Sequence, residues 1–117
     1  MNYEKIKEYS KSETEQVFSK NDPNELLYVV LSIAMYSEDY EYAENLCIQL
    51  SEHEHFNVRG NAILGFLYIA RNHDKLNEDL IKPIIIKALE DKNRFVRGQA
   101  ESAKDDIENF LGWKFKE

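Results

Sequence analysis

The chain has 117 residues, a net charge of -7 and 43% hydrophobic residues, which suits one folded domain with one modest core. Only four Gly and two Pro are present, so long loops and many tight turns are disfavoured and helices favoured. The negative charge argues against a nucleic-acid binder, which needs a cationic footprint to replace condensed counterions.

Residues 3–19 place Ile6, Tyr9, Glu13 and Val17 near helical spacing and read as a first helix. The stretch "NDPNELLYVVLSIAMYS" opens on a start signal. Asp22 is a cap, Pro23 fits the first helical position, and Glu25 stands at capping-box spacing. Leu26, Leu27, Val29, Val30, Leu31, Ile33 and Ala34 then fill nearly every face, which predicts a buried helix over Pro23–Met35. A third helix restarts after Ser37, its acids Glu38, Asp39 and Glu41 suiting the positive end of the helix dipole. Its stripe is Ala43, Leu46, Cys47 and Leu50. The fourth helix takes Asn57 as cap and buries Val58, Ala62, Gly65, Phe66 and Ile69, with Leu67 and Ala70 widening the face. The fifth takes Asn77 as cap and Leu80, Ile84, Ile85 and Ala88 as stripe, with a kink or fresh start expected at Pro83. The sixth runs through Val96, Ala100, Ala103, Ile107 and Phe110 or Leu111, and stops at Gly112.

The phrase "FNVRGNAI" (56–63) is echoed by "FVRGQA" (95–100). Val58, Arg59, Gly60 and Ala62 return as Val96, Arg97, Gly98 and Ala100, 38 residues later. Leu46, Cys47 and Ile48 return as Ile84, Ile85 and Ile86 at the same offset. A period of this length marks stacked helix pairs. A duplicated phosphate loop would need several glycines per copy, and each copy has one. A glycine costs about 1 kcal/mol against alanine in a helix interior, so Gly60 and Gly98 are read as places of close backbone approach.

The segment "PIIIKALEDKNRFVRGQA" (83–100) resembles a HEAT-type repeat at Leu89, Asp91, Val96, Arg97 and Ala100. The earlier copy matches at Leu50, Val58, Arg59 and Ala62 and departs at His53, which stands where Asp91 stands. The resemblance implies an all-α chain, a short α-solenoid of about six antiparallel helices in HEAT-like pairs. A diverged cap pair would occupy 1–37, one repeat 38–75 and a second 76–114. In such a joint the arginine is expected to reach an orphan carbonyl, or an acidic turn residue of the preceding unit. A HEAT-like resemblance speaks to fold and says almost nothing about activity.

The search for chemistry returns little. The string "HEHF" (53–56) spaces His53 and His55 two apart, where a zincin helix needs H-E-x-x-H, so both read as surface histidines and no metal or cofactor is expected. Cys47 lies on an apolar stripe and reads as core. Being the one cysteine, it also excludes an internal disulfide framework. The opening "MNYEKIKEYSKSE" has no apolar signal core, and Leu26–Tyr36 is far short of the roughly 20 residues that span a bilayer. A cytoplasmic chain with no catalytic residues and no membrane partner is expected.

Charge is the feature that points outward. Residues 22–55 hold eight acids and no Lys or Arg, while the flanking segments nearly balance. Within them, Tyr36, Tyr40 and Tyr42 are interleaved with Glu38, Asp39, Glu41 and Glu44. The plain reading is a helix N-terminus with tyrosines packed at its edge. The functional reading is a partner-binding patch, since tyrosine is enriched at hot spots and acids steer a basic partner. In size and charge the chain is similar to small acidic bacterial immunity proteins, which neutralise a cognate nuclease toxin. That similarity implies a non-enzymatic inhibitor of a basic protein, with no direct nucleic-acid contact. A scaffold or adaptor in a larger assembly is the alternative. A nucleic-acid-modifying enzyme on the same frame would need Arg59, Arg71, Arg94 and Arg97 in a cationic cleft, and two of these are assigned to the turns.

Overall fold

A computed structural model describes residues 6–115. All regular elements among them are helices: α1 (Lys11–Lys20), α2 (Pro23–Tyr36), α3 (Tyr40–Leu50), α4 (Phe56–His73), α5 (Glu78–Ala88) and α6 (Arg94–Leu111). The bounds of α5 and α6 are those of α3 and α4 displaced by 38 residues, so the offset written in the sequence is also present in the backbone.

Local chemistry sets the helix ends. Asp22, Asp39, Asn77 and Asn93 cap α2, α3, α5 and α6 by accepting a first-turn N–H. Gly112 ends α6 at φ 73°. Three expectations change. The first helix begins at Lys11, residues 6–10 being non-helical, and the part of that expectation at residues 3–5 lies outside the described residues. Its start is a capping box. Ser10 Oγ accepts the Glu13 N–H at 3.1 Å, and Glu13 Oε1 accepts the Ser10 N–H at 2.9 Å. At α2, by contrast, Asp22 accepts from Asn24 at 3.0 Å. The cap of α4 is His55, not Asn57, and it accepts the Asn57 N–H. Finally, α5 runs unbroken through Pro83. Pro83 and Asp79 are exposed, so the Asp79 carbonyl that loses its i+4 donor lies on the solvent side, where the missing bond costs least.

The core is organised around α4, which packs against α2, α3, α5 and α6. Leu26, Val29, Val58, Ile63, Phe66, Ile69, Ile85 and Ile107 are fully buried. The even helices lie side by side in one direction. Asn61 Nδ2 donates to the Leu27 carbonyl at 3.0 Å, and Gln99 Nε2 donates to Asn61 Oδ1 at 3.4 Å. One helix-end further on, Asn72 Nδ2 donates to the Ala34 and Met35 carbonyls. The stripe of α5 is Ile81, Ile85 and Ala88, whereas Leu80 is 53% exposed and Ile84 half-buried. The expected stripe was therefore off by one position at its start. The correct one is the stripe of α3 (Ala43, Cys47, Leu50) moved by 38 residues.

The two echoed glycines differ. A Cβ on Gly60 would stand 2.6 Å from the Phe95 ring of α6, so that glycine marks a close approach. A Cβ on Gly98 meets nothing within 4 Å, which overturns the expectation there, since no further helix packs on α6. Gly98→Ala is therefore expected to raise stability by about 0.5–1 kcal/mol through backbone entropy and helix propensity. Gly60→Ala, pressing on the Phe95 ring, is expected to gain none of it. Urea-denaturation midpoints of the two variants check the contrast.

Candidate functional site

The Tyr and acid cluster forms the corner where α2 ends and α3 begins. Asp39 accepts the Tyr42 N–H at 3.1 Å as the cap of α3 and holds Lys11 Nζ at 2.9 Å. The Lys11 hydrogen bond lowers the Asp39 pKa, and the same bond raises that of Lys11. Lys11 also lies 4.8 Å from the Tyr42 ring centroid. Tyr40 donates its hydroxyl to Glu44 at 2.7 Å, and burial followed by that bond pushes its pKa upward. Its ring meets His73 edge-on and carries the Lys75 ammonium at 4.5 Å. Glu44 is 5% exposed and also accepts the Asn77 N–H at 2.8 Å, fastening the start of α5 to α3.

The structure thus places all seven residues at one corner but gives them different work. Tyr40 and Glu44 are engaged with each other inside the fold, and Asp39 is engaged at the surface by Lys11 and the Tyr42 N–H. Tyr42 is half-buried beneath Lys11. Tyr36 lines a small depression of about 80 Å³ with Tyr9, Ser32 and Tyr42. Glu38 and Glu41 are exposed and meet no cation among the described residues.

At the other end of α3 the turns are tied together by the residues of the echoed phrase. Arg59 holds Asp91 bidentately, Nε to Oδ2 at 2.8 Å and Nη2 to Oδ1 at 2.9 Å. Its Nη1 donates to the His53 and Glu54 carbonyls, both at 3.1 Å. Arg97 Nη1 donates to the Asp91 carbonyl at 2.7 Å. The acid that Arg59 reaches therefore belongs to the following turn, not the preceding one. The Arg59 hydrogen bonds hold the Asp91 carboxyl below the usual carboxylate range. Val58, Ala62, Val96 and Ala100 are buried beneath this joint. Of the four arginines weighed for nucleic-acid contact, Arg59 and Arg97 are occupied here, Arg71 pairs with Asp106 at 2.8 Å, and Arg94 is exposed.

His53 and His55 are structural in a way the sequence reading did not anticipate. The His55 N–H donates to His53 Nδ1 at 3.0 Å, and the Asn57 N–H donates to His55 Nδ1 at 3.3 Å. In the later turn Asp91 and Asn93 accept the equivalent bonds from Asn93 and Phe95, each at 2.8 Å. The histidines stand in for Asp and Asn, which requires their Nδ1 atoms to be unprotonated. With Nδ1 accepting, His53 Nε2–H is the donor to Asn21 Oδ1 at 2.8 Å, joining the α1–α2 turn to this one. Burial lowers the His53 pKa below 6.5. The unfolded chain therefore binds the proton first. The contribution is fully present above about pH 6.5 and is lost as pH falls through the folded-state pKa. The urea midpoint of the native chain is expected to fall more steeply from pH 7.5 to pH 5 than that of His53→Gln.

Between the α3–α4 and α5–α6 turns lies an open cleft of about 520 Å³. Ile63, Ile84 and Ala88 form its apolar part, and charged side chains stand on its rim. Among the described residues no three His, Cys, Asp or Glu side chains gather as a metal site. Cys47 is wholly buried, and burial raises its pKa far from the range of a reactive thiolate. No helix among the described residues is long and apolar enough to cross a membrane.

No family model matches the chain, and no curated protein matches it. A solved structure does. The fold is that of a chain in the crystal structure of a CDI complex from Cupriavidus taiwanensis LMG 19424. The TM-score is 0.79 at 23% identity, over 94% of this chain and 97% of the other. The likeness therefore takes in nearly the whole of both chains.

Proposed function

We propose that this chain is a non-enzymatic, protein-binding inhibitor of the immunity type, which neutralises a basic partner such as a nuclease toxin in the cytoplasm. The observation that carries the reading is the fold shared end to end with a chain from a CDI, or contact-dependent inhibition, complex. Such complexes pair a toxin with an immunity protein. Charge supports it independently. A nuclease is basic where it holds nucleic acid, and the eight acids of residues 22–55 stand unopposed in sequence by any Lys or Arg. Glu38 and Glu41, beside Tyr36, are the part of the α2–α3 corner free to steer such a partner.

On the same reading the frame is a short HEAT-like solenoid. The cap pair is 1–37 and the two repeats 38–75 and 76–114, with the Arg59–Asp91 bridge holding successive units in register. Affinity purification of the chain from its native cells, followed by mass spectrometry, tests the proposal. One basic protein in stoichiometric yield is expected. Recovery of no partner, or of acidic partners alone, would overturn the reading.

A further inference from the structure

We infer that the cleft between the α3–α4 and α5–α6 turns is the anchor point for a cationic side chain, Lys or Arg, presented by the protein partner. The inference rests on the inhibitor reading and assigns it a place.

The cleft has the right size and floor. Its volume of about 520 Å³ lies within the range of ligand-holding clefts and accommodates a long side chain with part of its backbone. Half-buried Ile84, with Ile63 and Ala88 behind it, offers an apolar surface for the methylene stem of Lys or Arg.

Its walls are unlike in charge. Glu52 and Glu54 stand exposed on the α3 side, and no cation among the described residues pairs with either. They are the last two acids of the stretch that holds no Lys or Arg, so the field that draws in a basic partner ends at this wall. Asp91 takes no part, because Arg59 already holds both of its oxygens. Lys87 and Lys92 stand on the α5 side with exposed Glu90 between them, so that wall carries a net charge of +1 against -2 opposite, Asp91 being held by Arg59. They repel an incoming cation and so turn its head toward Glu52 and Glu54.

The wall is also pre-formed. Arg59 fixes the carbonyls of His53 and Glu54, and His53 is bonded to Asn21 and to the His55 N–H. A partner need not order this turn in order to use it, which lowers the entropic cost of binding. The α2–α3 corner differs, since Tyr40 and Glu44 are already engaged with each other. Corner and cleft thus divide the work: Glu38 and Glu41 steer, while the cleft retains.

Binding kinetics with the basic partner recovered by affinity purification test the assignment. Four proteins are compared: the native chain, Glu52→Arg with Glu54→Arg, Glu38→Arg with Glu41→Arg, and Lys87→Glu with Lys92→Glu. All six positions are exposed, and circular dichroism verifies folding. The cleft variant is expected to bind at least about 30-fold more weakly, chiefly through faster dissociation. The corner variant is expected to lose less than about tenfold, chiefly in association rate. A cleft variant within about threefold of the native chain overturns the anchor while leaving the inhibitor reading intact. Loss of binding on Lys87→Glu with Lys92→Glu, with the cleft variant unaffected, overturns it in favour of an acidic anchor. Recovery of no basic partner to measure overturns the inhibitor reading and the anchor with it.

Discussion

Replacing Arg59 by Ala is expected to lower stability by about 3 kcal/mol, the low end of the cost of removing one partner from a buried pair. The two side chains are 14% and 16% exposed, which places the pair between a surface bridge and a fully buried one. The cost is larger than Coulomb attraction alone suggests, because four hydrogen bonds disappear together. Asp91 is left with the Asn93 N–H, and the His53 and Glu54 carbonyls lose their donor. Arg59→Lys should recover less than half of the loss, since an ammonium cannot fork to two oxygens and two carbonyls at once. The Asp91 pKa is lowered in the folded chain, so the pair contributes fully above the unfolded pKa, and its contribution fades as pH falls below about 4. The gap between native and Arg59→Ala in urea should close correspondingly at acid pH. A gap independent of pH would mean that the carbonyl bonds, not the ion pair, carry the effect.

Gly65→Ala is expected to cost about 2–3 kcal/mol, in the upper part of the range for overpacking a core. A Cβ there would stand 2.7 Å from Cys47 Sγ and 3.2 Å from Ala34 Cβ. All three residues are buried at the meeting of α2, α3 and α4, where neither neighbour is a flexible surface group. The added methyl should therefore separate helices that the whole core depends on. Cys47→Ala removes the clashing sulfur and alone should cost about 1 kcal/mol as a small cavity. Combining the two should restore most of the stability, because the Gly65 methyl fills the space the sulfur leaves. A double-mutant cycle on urea midpoints measures this coupling, expected at about 2–3 kcal/mol in favour of the double variant. Additive losses would show that Gly65 matters for backbone reasons instead of space.

Most of the helical content was legible because its signals are local. Asp22 with Pro23, Asn77 and Gly112 announce their helix ends within a few residues, and the stripes of α3, α4 and α6 are regular. The start of α1 was also written locally, as Ser10-x-x-Glu13, but Ile6 and Tyr9 continued a helical spacing upstream and obscured it. The offset of 38 residues held more than was taken from it. It moves the α3 stripe onto Ile81, Ile85 and Ala88, and it sets His53 and His55 over Asp91 and Asn93, where imidazole nitrogens do the work of carboxylate and amide oxygens.

The corner was less legible, because its partners are distant in sequence. Nothing within residues 36–44 says that Lys11 lies on Tyr42 and Asp39, that Lys75 lies on Tyr40, or that Glu44 receives the Asn77 N–H. Those side chains arrive from α1 and from the α4–α5 turn only once the helices pack. Gly98 failed for a related reason. It repeats Gly60 in sequence but lies on the last helix, where no neighbour supplies a second Phe95.

The most direct test of the inhibitor reading is protection of a living cell. The basic partner recovered with this chain is expressed from one inducible promoter and the chain from another, and growth is followed after induction. Induced alone, that partner should arrest growth, and co-induction of the chain should restore it. Arrest that persists with the chain folded and abundant would contradict the proposal that it is an immunity-type inhibitor.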